Sequence, residues 1–219
     1  MGKRVVIRKA GGVKTVTTQP MEKPKPAPNE VCIKVAYAGI NFADLLMRMG
    51  FYNPRPPYPF TPGYEVSGVI DAVGSEVTDL APGLRVVAAM RNGGQASYVV
   101  ASPERVLVLP DSISLKTAAA TPVTYLTAHH MLHHLGHLKT DDSVLIHGGA
   151  GGVGTAALQL CQWAGVTKVW ATSSKPKHHI ITTYGARPID RHNEDFGEII
   201  RCETQEKGVD HILDPIGGE

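Results

Sequence analysis

Three glycines, Gly149-x-Gly151-x-x-Gly154, are the residues of this chain whose type and spacing most plainly imply chemistry. A short aliphatic run, Val144-Leu-Ile-His147, precedes them and reads as a buried strand. An Ala- and Leu-rich segment of helical length follows. In that order the first glycine allows a tight strand-to-helix turn. The second lets backbone approach a pyrophosphate, and the third lets the helix pack close to the strand. The free N–H groups and positive dipole end of the helix then face the phosphates. The backbone of Gly149, Gly151, Gly152, Val153 and Gly154 therefore reads as a dinucleotide cradle.

The acidic residue that usually holds the 2′-OH of NAD is expected about 20 residues further on. Here that region reads Thr172-Ser-Ser-Lys-Pro-Lys177, with no acid. The hydroxyls of Thr172, Ser173 and Ser174 and the ammonium groups suit a 2′-phosphate, because each can donate to its oxygens. NADPH is the expected cofactor. The plain alternative is that Lys175 and Lys177 only solvate a turn.

A second cluster has metal-ligand chemistry: His129, His130, His133, His134 and His137 crowd one helical stretch. Pairs at i, i+4 share a face and could chelate a metal. No carboxylate or Cys is close in sequence to complete a site, so a partly exposed histidine face is the simpler reading and no metal is expected. Cys32, Cys161 and Cys202 are far apart, with no Cys-x-x-Cys. This argues against a disulfide framework and a thiolate zinc site.

The elements that must position these residues change character along the 219 residues. The first half is strand-rich: 4–8, 30–38, 65–73, 85–90, 97–101 and 106–109, with a proline loop over 20–29, a short helix over 42–49 and a second proline loop over 54–62. Short strands separated by turns imply a β-barrel-like antiparallel domain. Residues 114–138 read as helical, interrupted by Pro122 and Gly136. From 143 onward strand and helix alternate: strands 143–147, 166–171, 187–190 and 210–213, helices 152–164, 177–184 and 195–206. That alternation means βαβ units and a parallel sheet. Domains are expected over 1–113 and 114–219. Only four parallel strands are visible where a complete dinucleotide-binding sheet has six, so the chain reads as a truncated form or a fragment. Net charge is +2 with 42% hydrophobic residues. Nothing calls for nucleic acid, no segment has the length of a membrane span, and a cytoplasmic protein is expected.

Taken together, Gly39-Ile-Asn-Phe-Ala-Asp44, Arg48-x-Gly50-x-Tyr52, Gly63-Tyr-Glu-x-x-Gly68, Thr121-Pro-Val-Thr-Tyr-Leu-Thr-Ala128 and the glycine loop resemble the medium-chain dehydrogenase/reductase superfamily, most of all its zinc-free quinone oxidoreductase branch. Ala171–Lys177, Pro188-Ile-Asp190 and Gly208-Val-Asp-x-x-Leu-Asp-Pro-Ile-Gly-Gly218 are similar to the vesicle amine transport protein subgroup. The resemblance implies a GroES-like barrel-type domain followed by an incomplete Rossmann doubly wound sheet. It places Asn41 and Asp44 beside the nicotinamide ribose, Tyr52 at the active-site mouth, Thr127 near the nicotinamide and Lys177 on the 2′-phosphate. Arg191 stands where relatives commonly have Tyr, and either reaches the phosphate or sits on the surface. Zinc-dependent members have Cys where this chain has Asn41 and His where it has Tyr64; amide and phenol do not replace those ligands. Asp44 and Glu65 are read as structural hydrogen-bonding groups, not as an acid/base pair. The implied activity is zinc-independent hydride transfer from NADPH to a quinone or an activated enone or carbonyl, by an enzyme whose relatives are homodimers. The alternative is a non-catalytic form, acting as a cofactor-binding or vesicle- or membrane-associated interaction module, with peripheral membrane association.

Overall fold

The structure, a computed structural model, describes residues 2–53 and 55–217. Pro54 of the second proline loop, and Gly218 and Glu219 at the end of the last motif, lie outside them. The chain forms two compact units, Met1–Val123 and Thr124–Glu219.

In the first unit β1 (Gly2–Ile7) pairs antiparallel with β2 (Val16–Met21). β2 is absent from the sequence reading, which put Pro20 and Met21 in a loop. Pro20 stands opposite Lys3 in a two-stranded sheet, where a missing N–H is tolerated at an edge. The main sheet comprises β3 (Val31–Ala38), β4 (Glu65–Val73), β5 (Arg85–Ala89), β6 (Tyr98–Ala101) and β7 (Val106–Val108), in the order β6-β3-β4-β5-β7. Its pairings are antiparallel. Val31, Ile33, Val66, Ile70, Val86 and Val99 form its core. Cys32, between Val31 and Ile33 in β3, is fully buried too. Helix α1 (Phe42–Met49) ends at Gly50, whose φ of 88° closes the helix in the left-handed region that favours glycine. Residues beyond 113 that fall in this unit are tied to β4. Ser67 Oγ donates to the carbonyl of Leu115 in α2 (Leu115–Ala118), and the Val123 N–H donates to Glu65.

α3 (Pro122–His129) runs into a π-helical turn, His130–Leu135. The second unit then alternates β8 (Ser143–Ile146), α4 (Gly152–Trp163), β9 (Lys168–Ser173), α5 (His178–Thr183), β10 (Arg187–Asp190), α6 (Phe196–Glu203) and β11 (His211–Leu213). All four strands are parallel, in the order β10-β9-β8-β11. This is the order of the first four strands of a dinucleotide-binding sheet. It makes β8 the point where the winding reverses, and the C-terminal ends of β8 and β11 flank the crevice there. Every residue of β8 is buried, as a parallel strand covered on both faces requires. Val144, Ile146, Ala157, Leu158 and Ile181 fill the space between sheet and helices. Cys161 lies in the same core, and burial pushes its thiol up to about 12, which leaves it unreactive. Among the described residues no helix is long and apolar enough to cross a membrane.

Candidate functional site

The glycine turn leaves the C-terminal end of β8. The left-handed residue in it is Gly148, with φ of 65°, one position before the first glycine of the sequence motif. The turn therefore depends on Gly148 for its φ, and Gly149 is needed for space. A Cβ on Gly149 would lie 2.6 Å from the Cβ of Ala171 in β9. Gly154 is tighter still: its Cβ would overlap the Gly148 carbonyl oxygen and lie 2.6 Å from Gly149 Cα. Gly151 and Gly152 are exposed. Gly151 forms the N-cap of α4, and no side chain caps that helix. The first turn of α4 therefore presents backbone with no Cβ in front of it, at the positive end of the helix dipole. Val153 is half-buried and packs against the core.

Thr172 braces the turn. Its hydroxyl accepts from the Gly148 N–H at 3.2 Å and lies 3.3 Å from His147 Nδ1; its carbonyl accepts from the Gly149 N–H. Ser173 is buried and its hydroxyl donates to the Ser174 carbonyl. The hydroxyls of Thr172 and Ser173, expected to face a phosphate, thus also bond the chain's own backbone. Lys177 is exposed at the end of a single 3-10 turn, Lys175–Lys177, directly after β9. Arg191 follows β10, is exposed, and donates from Nε to His192 Nε2 at 3.1 Å. The loop that carries it is organised by Asp190, which accepts from the His192 N–H and from Asn193 Nδ2. The Asn193 and His192 bonds hold the Asp190 carboxyl below its usual range.

A cavity of about 340 Å3 opens over these strand ends, lined by His147, Gly148, Thr172, Arg191, Phe196 and Asp214, among others. Of the residues singled out in the sequence, Thr172 and Arg191 line it. His147, Phe196 and Asp214 were missed. The His147 and Phe196 rings meet edge to face at 4.8 Å. Asp214 accepts from the Ile216 and Gly217 N–H groups, which fix the turn after β11 and hold its carboxyl low. The available signal was position: each stands just past a strand end or at a helix start.

In the first unit, Asn41 begins α1. Its N–H donates to Asp44, and its Nδ2 donates to Glu65 Oε1 at 2.8 Å. Asp44 is 3% exposed and Glu65 2%. Asp44 Oδ1 accepts from the Gly63 N–H and Glu65 Oε2 from the Val123 N–H. Burial pushes both carboxyls up, and these hydrogen bonds pull them partly back. Both carboxylates are therefore committed to positioning, and Asp44 touches backbone where a ribose contact was expected. Gly39 completes the arrangement, since a Cβ there would overlap the Glu65 carboxyl. Tyr52 packs with Tyr64 at 6.5 Å, edge to face, in a cluster with Ile7, Met47 and Phe60. Burial, with Tyr52 beside it, pushes the Tyr64 phenol up to about 12, so Tyr64 keeps its proton. Thr127 is exposed on α3. Among the described residues no three His, Cys, Asp or Glu side chains are grouped to hold a metal ion.

The buried carboxyls of the first unit shift opposite to the carboxyls of the second. In the second, hydrogen bonds hold Asp142, Asp190, Asp210 and Asp214 low, and Glu203 is also lowered, by Trp170 and Arg187 acting against its burial. Groups lowered in the fold stabilise it above their unfolded value and lose that contribution as pH falls through the folded value. In the first unit Glu104 is lowered, while Asp44 and Glu65 are raised and favour the fold when protonated. Below about pH 4, in the ordinary carboxyl range, the second unit should weaken first. Trp163 and Trp170 both lie in it. Thermal unfolding followed by their fluorescence should lose midpoint on acidification ahead of the far-UV signal of the first unit; coincident loss contradicts this.

Residues 27–111 match the model of the alcohol dehydrogenase GroES-like domain. The chain is 43% identical over 217 residues to the synaptic vesicle membrane protein VAT-1 homolog of Danio rerio, covering 98% of this chain and 44% of that protein. The chain spans about half the length of the curated relatives it matches. Among solved structures it is similar to CurK enoyl reductase, with a TM-score of 0.93 and 34% identity over 99% of this chain and 68% of that one. It is also similar to Escherichia coli quinone oxidoreductase complexed with NADPH, with a TM-score of 0.93 and 31% identity over 99% of this chain and 67% of that one. With a GroES-like first unit, a glycine turn at the switch point of a parallel sheet and these relatives, the chain belongs to the quinone oxidoreductase branch of the medium-chain dehydrogenase/reductase superfamily.

Proposed function

We propose that the protein is an NADPH-dependent, zinc-independent oxidoreductase acting on a quinone or an activated enone or carbonyl. The observation that carries this is the glycine turn. The places where Cβ atoms would stand at Gly149 and Gly154 are filled by Ala171 of β9 and by the turn's own backbone, while Gly151 and Gly152 are exposed and carry no Cβ at the helix start. A pyrophosphate fits that cradle. The similarity to an NADPH-complexed quinone oxidoreductase and to an enoyl reductase supports the same reading. When bound, NADPH supplies a hydride for an electron-poor acceptor.

The chain's own residues then bind and orient. The α4 N-terminus takes the pyrophosphate, and Lys177 and Arg191 take the 2′-phosphate, with Arg191 held by the Asp190 loop. Asn41, its amide nitrogen held by Glu65, is the residue assigned to the nicotinamide ribose. Tyr52 orients the acceptor oxygen, and Thr127 flanks the nicotinamide. Asn41 and Tyr64 offer no thiolate or imidazole, so this chemistry proceeds through positioning and a dry pocket. Three cysteines present as free thiols suit the cytoplasm.

Lys177→Ala and Arg191→Ala test the assignment. Each removes a charge-assisted contact and should weaken NADPH binding roughly tenfold, with NADH unchanged. Equal losses for both cofactors would remove these residues from the 2′-phosphate.

A further inference from the structure

The histidine stretch belongs to none of the chemistry above, and its geometry is specific. The His130 and His134 rings are stacked, 4.7 Å apart and 19° from parallel. His129 and His133 stand 4.8 Å apart. The two pairs differ in what they can offer. His133 is turned toward Trp163, and its Nε2 is buried without a hydrogen-bond partner. His130 and His134 are both exposed. They lie in the π-helical turn His130–Leu135. A π turn holds about 4.4 residues, so side chains four apart stay on one face. Two imidazoles that share a tetrahedral or square-planar ion at about 2.0–2.1 Å have ring centres roughly 4.5–5 Å apart. The observed separation falls in that range, and the rings must turn out of the stack for one nitrogen of each to aim at a shared ion.

We propose that His130 and His134 form a two-point clamp for a divalent late transition-metal ion of the Cu2+, Ni2+ or Zn2+ type, with water filling the remaining positions. Imidazole nitrogen selects these ions over Mg2+ and Ca2+, which prefer oxygen. The site is separate from the glycine turn and needs no bound nucleotide.

The test is calorimetric titration of the untagged, metal-free 219-residue chain with Cu2+, with electron paramagnetic resonance of the product. The clamp should take one equivalent at a roughly micromolar constant and show two coordinating nitrogens. His130→Gln and His134→Gln should each weaken it roughly tenfold or more, and His129→Gln should leave it intact. Both replaced side chains are exposed, and circular dichroism checks that the helix is kept. In the unmutated chain, Zn2+ should also shield His130 and His134, and not His129, from acylation by diethyl pyrocarbonate. Absence of saturable binding, a site that survives His134→Gln, or one lost equally in His129→Gln would overturn the proposal.

Discussion

Gly154→Val should cost the second unit about 1–3 kcal/mol, while Gly151→Val should cost about 1 kcal/mol or less, as a poorer N-cap, and still weaken NADPH binding roughly tenfold or more. The two replacements add the same side chain three residues apart, at the N-cap and in the first turn of α4, yet meet different surroundings. At Gly154 the new Cβ would overlap the Gly148 carbonyl and press on Gly149 Cα, all of it backbone of a turn that cannot yield without moving β8 from α4. At Gly151 the nearest atom to a new Cβ is the Gly148 oxygen at 3.1 Å, and the backbone there is extended, with φ of −87°. A side chain there costs less than at Gly154 but stands where a pyrophosphate must approach. Urea denaturation separates the first variant from wild type, and nicotinamide fluorescence separates the second. If Gly151→Val bound NADPH as wild type does, the cradle would not be at the α4 N-terminus.

The second large effect is expected at Glu65. Glu65→Ala should destabilise the first unit by about 2–4 kcal/mol, through a cavity at a fully buried side chain and two part-buried donors left without their partner. Those donors are Asn41 Nδ2 and the Val123 N–H. Glu65→Gln keeps the volume but turns an amide NH2 toward one of them, and should cost about 1–3 kcal/mol. In the proposed enzyme both variants also release Asn41, so acceptor turnover should fall by more than stability alone explains. A Glu65→Ala variant as stable as wild type in urea would show that the Asn41–Glu65–Val123 chain does not hold the unit together.

How much of this could be read from sequence follows the range of the forces involved. β8, the glycine turn and α4 were legible because strand, turn and helix are contiguous there, each with its own periodicity. That the strands are parallel followed from alternation. β2 was not legible, because Pro20 punctuates it and its partner β1 lies across a turn; only the pairing of Pro20 with Lys3 reveals it. The tight turn was read at Gly149, whereas the left-handed φ falls at Gly148, since two adjacent glycines look alike until Ala171 is seen against one of them. Thr172 read as a phosphate ligand by residue type, whereas its place on buried β9 turns the hydroxyl to the loop's own backbone. The Asn41–Glu65 bond joins residues 24 apart in sequence, and no local signal marks the partner of an Asn at a helix start.

The central claim is most directly tested by titrating the folded chain with NADPH and following nicotinamide fluorescence, with NADH in parallel. The account expects saturable NADPH binding in roughly the micromolar range, with NADH weaker by about tenfold or more. A folded chain that binds neither cofactor, or both equally, would contradict it.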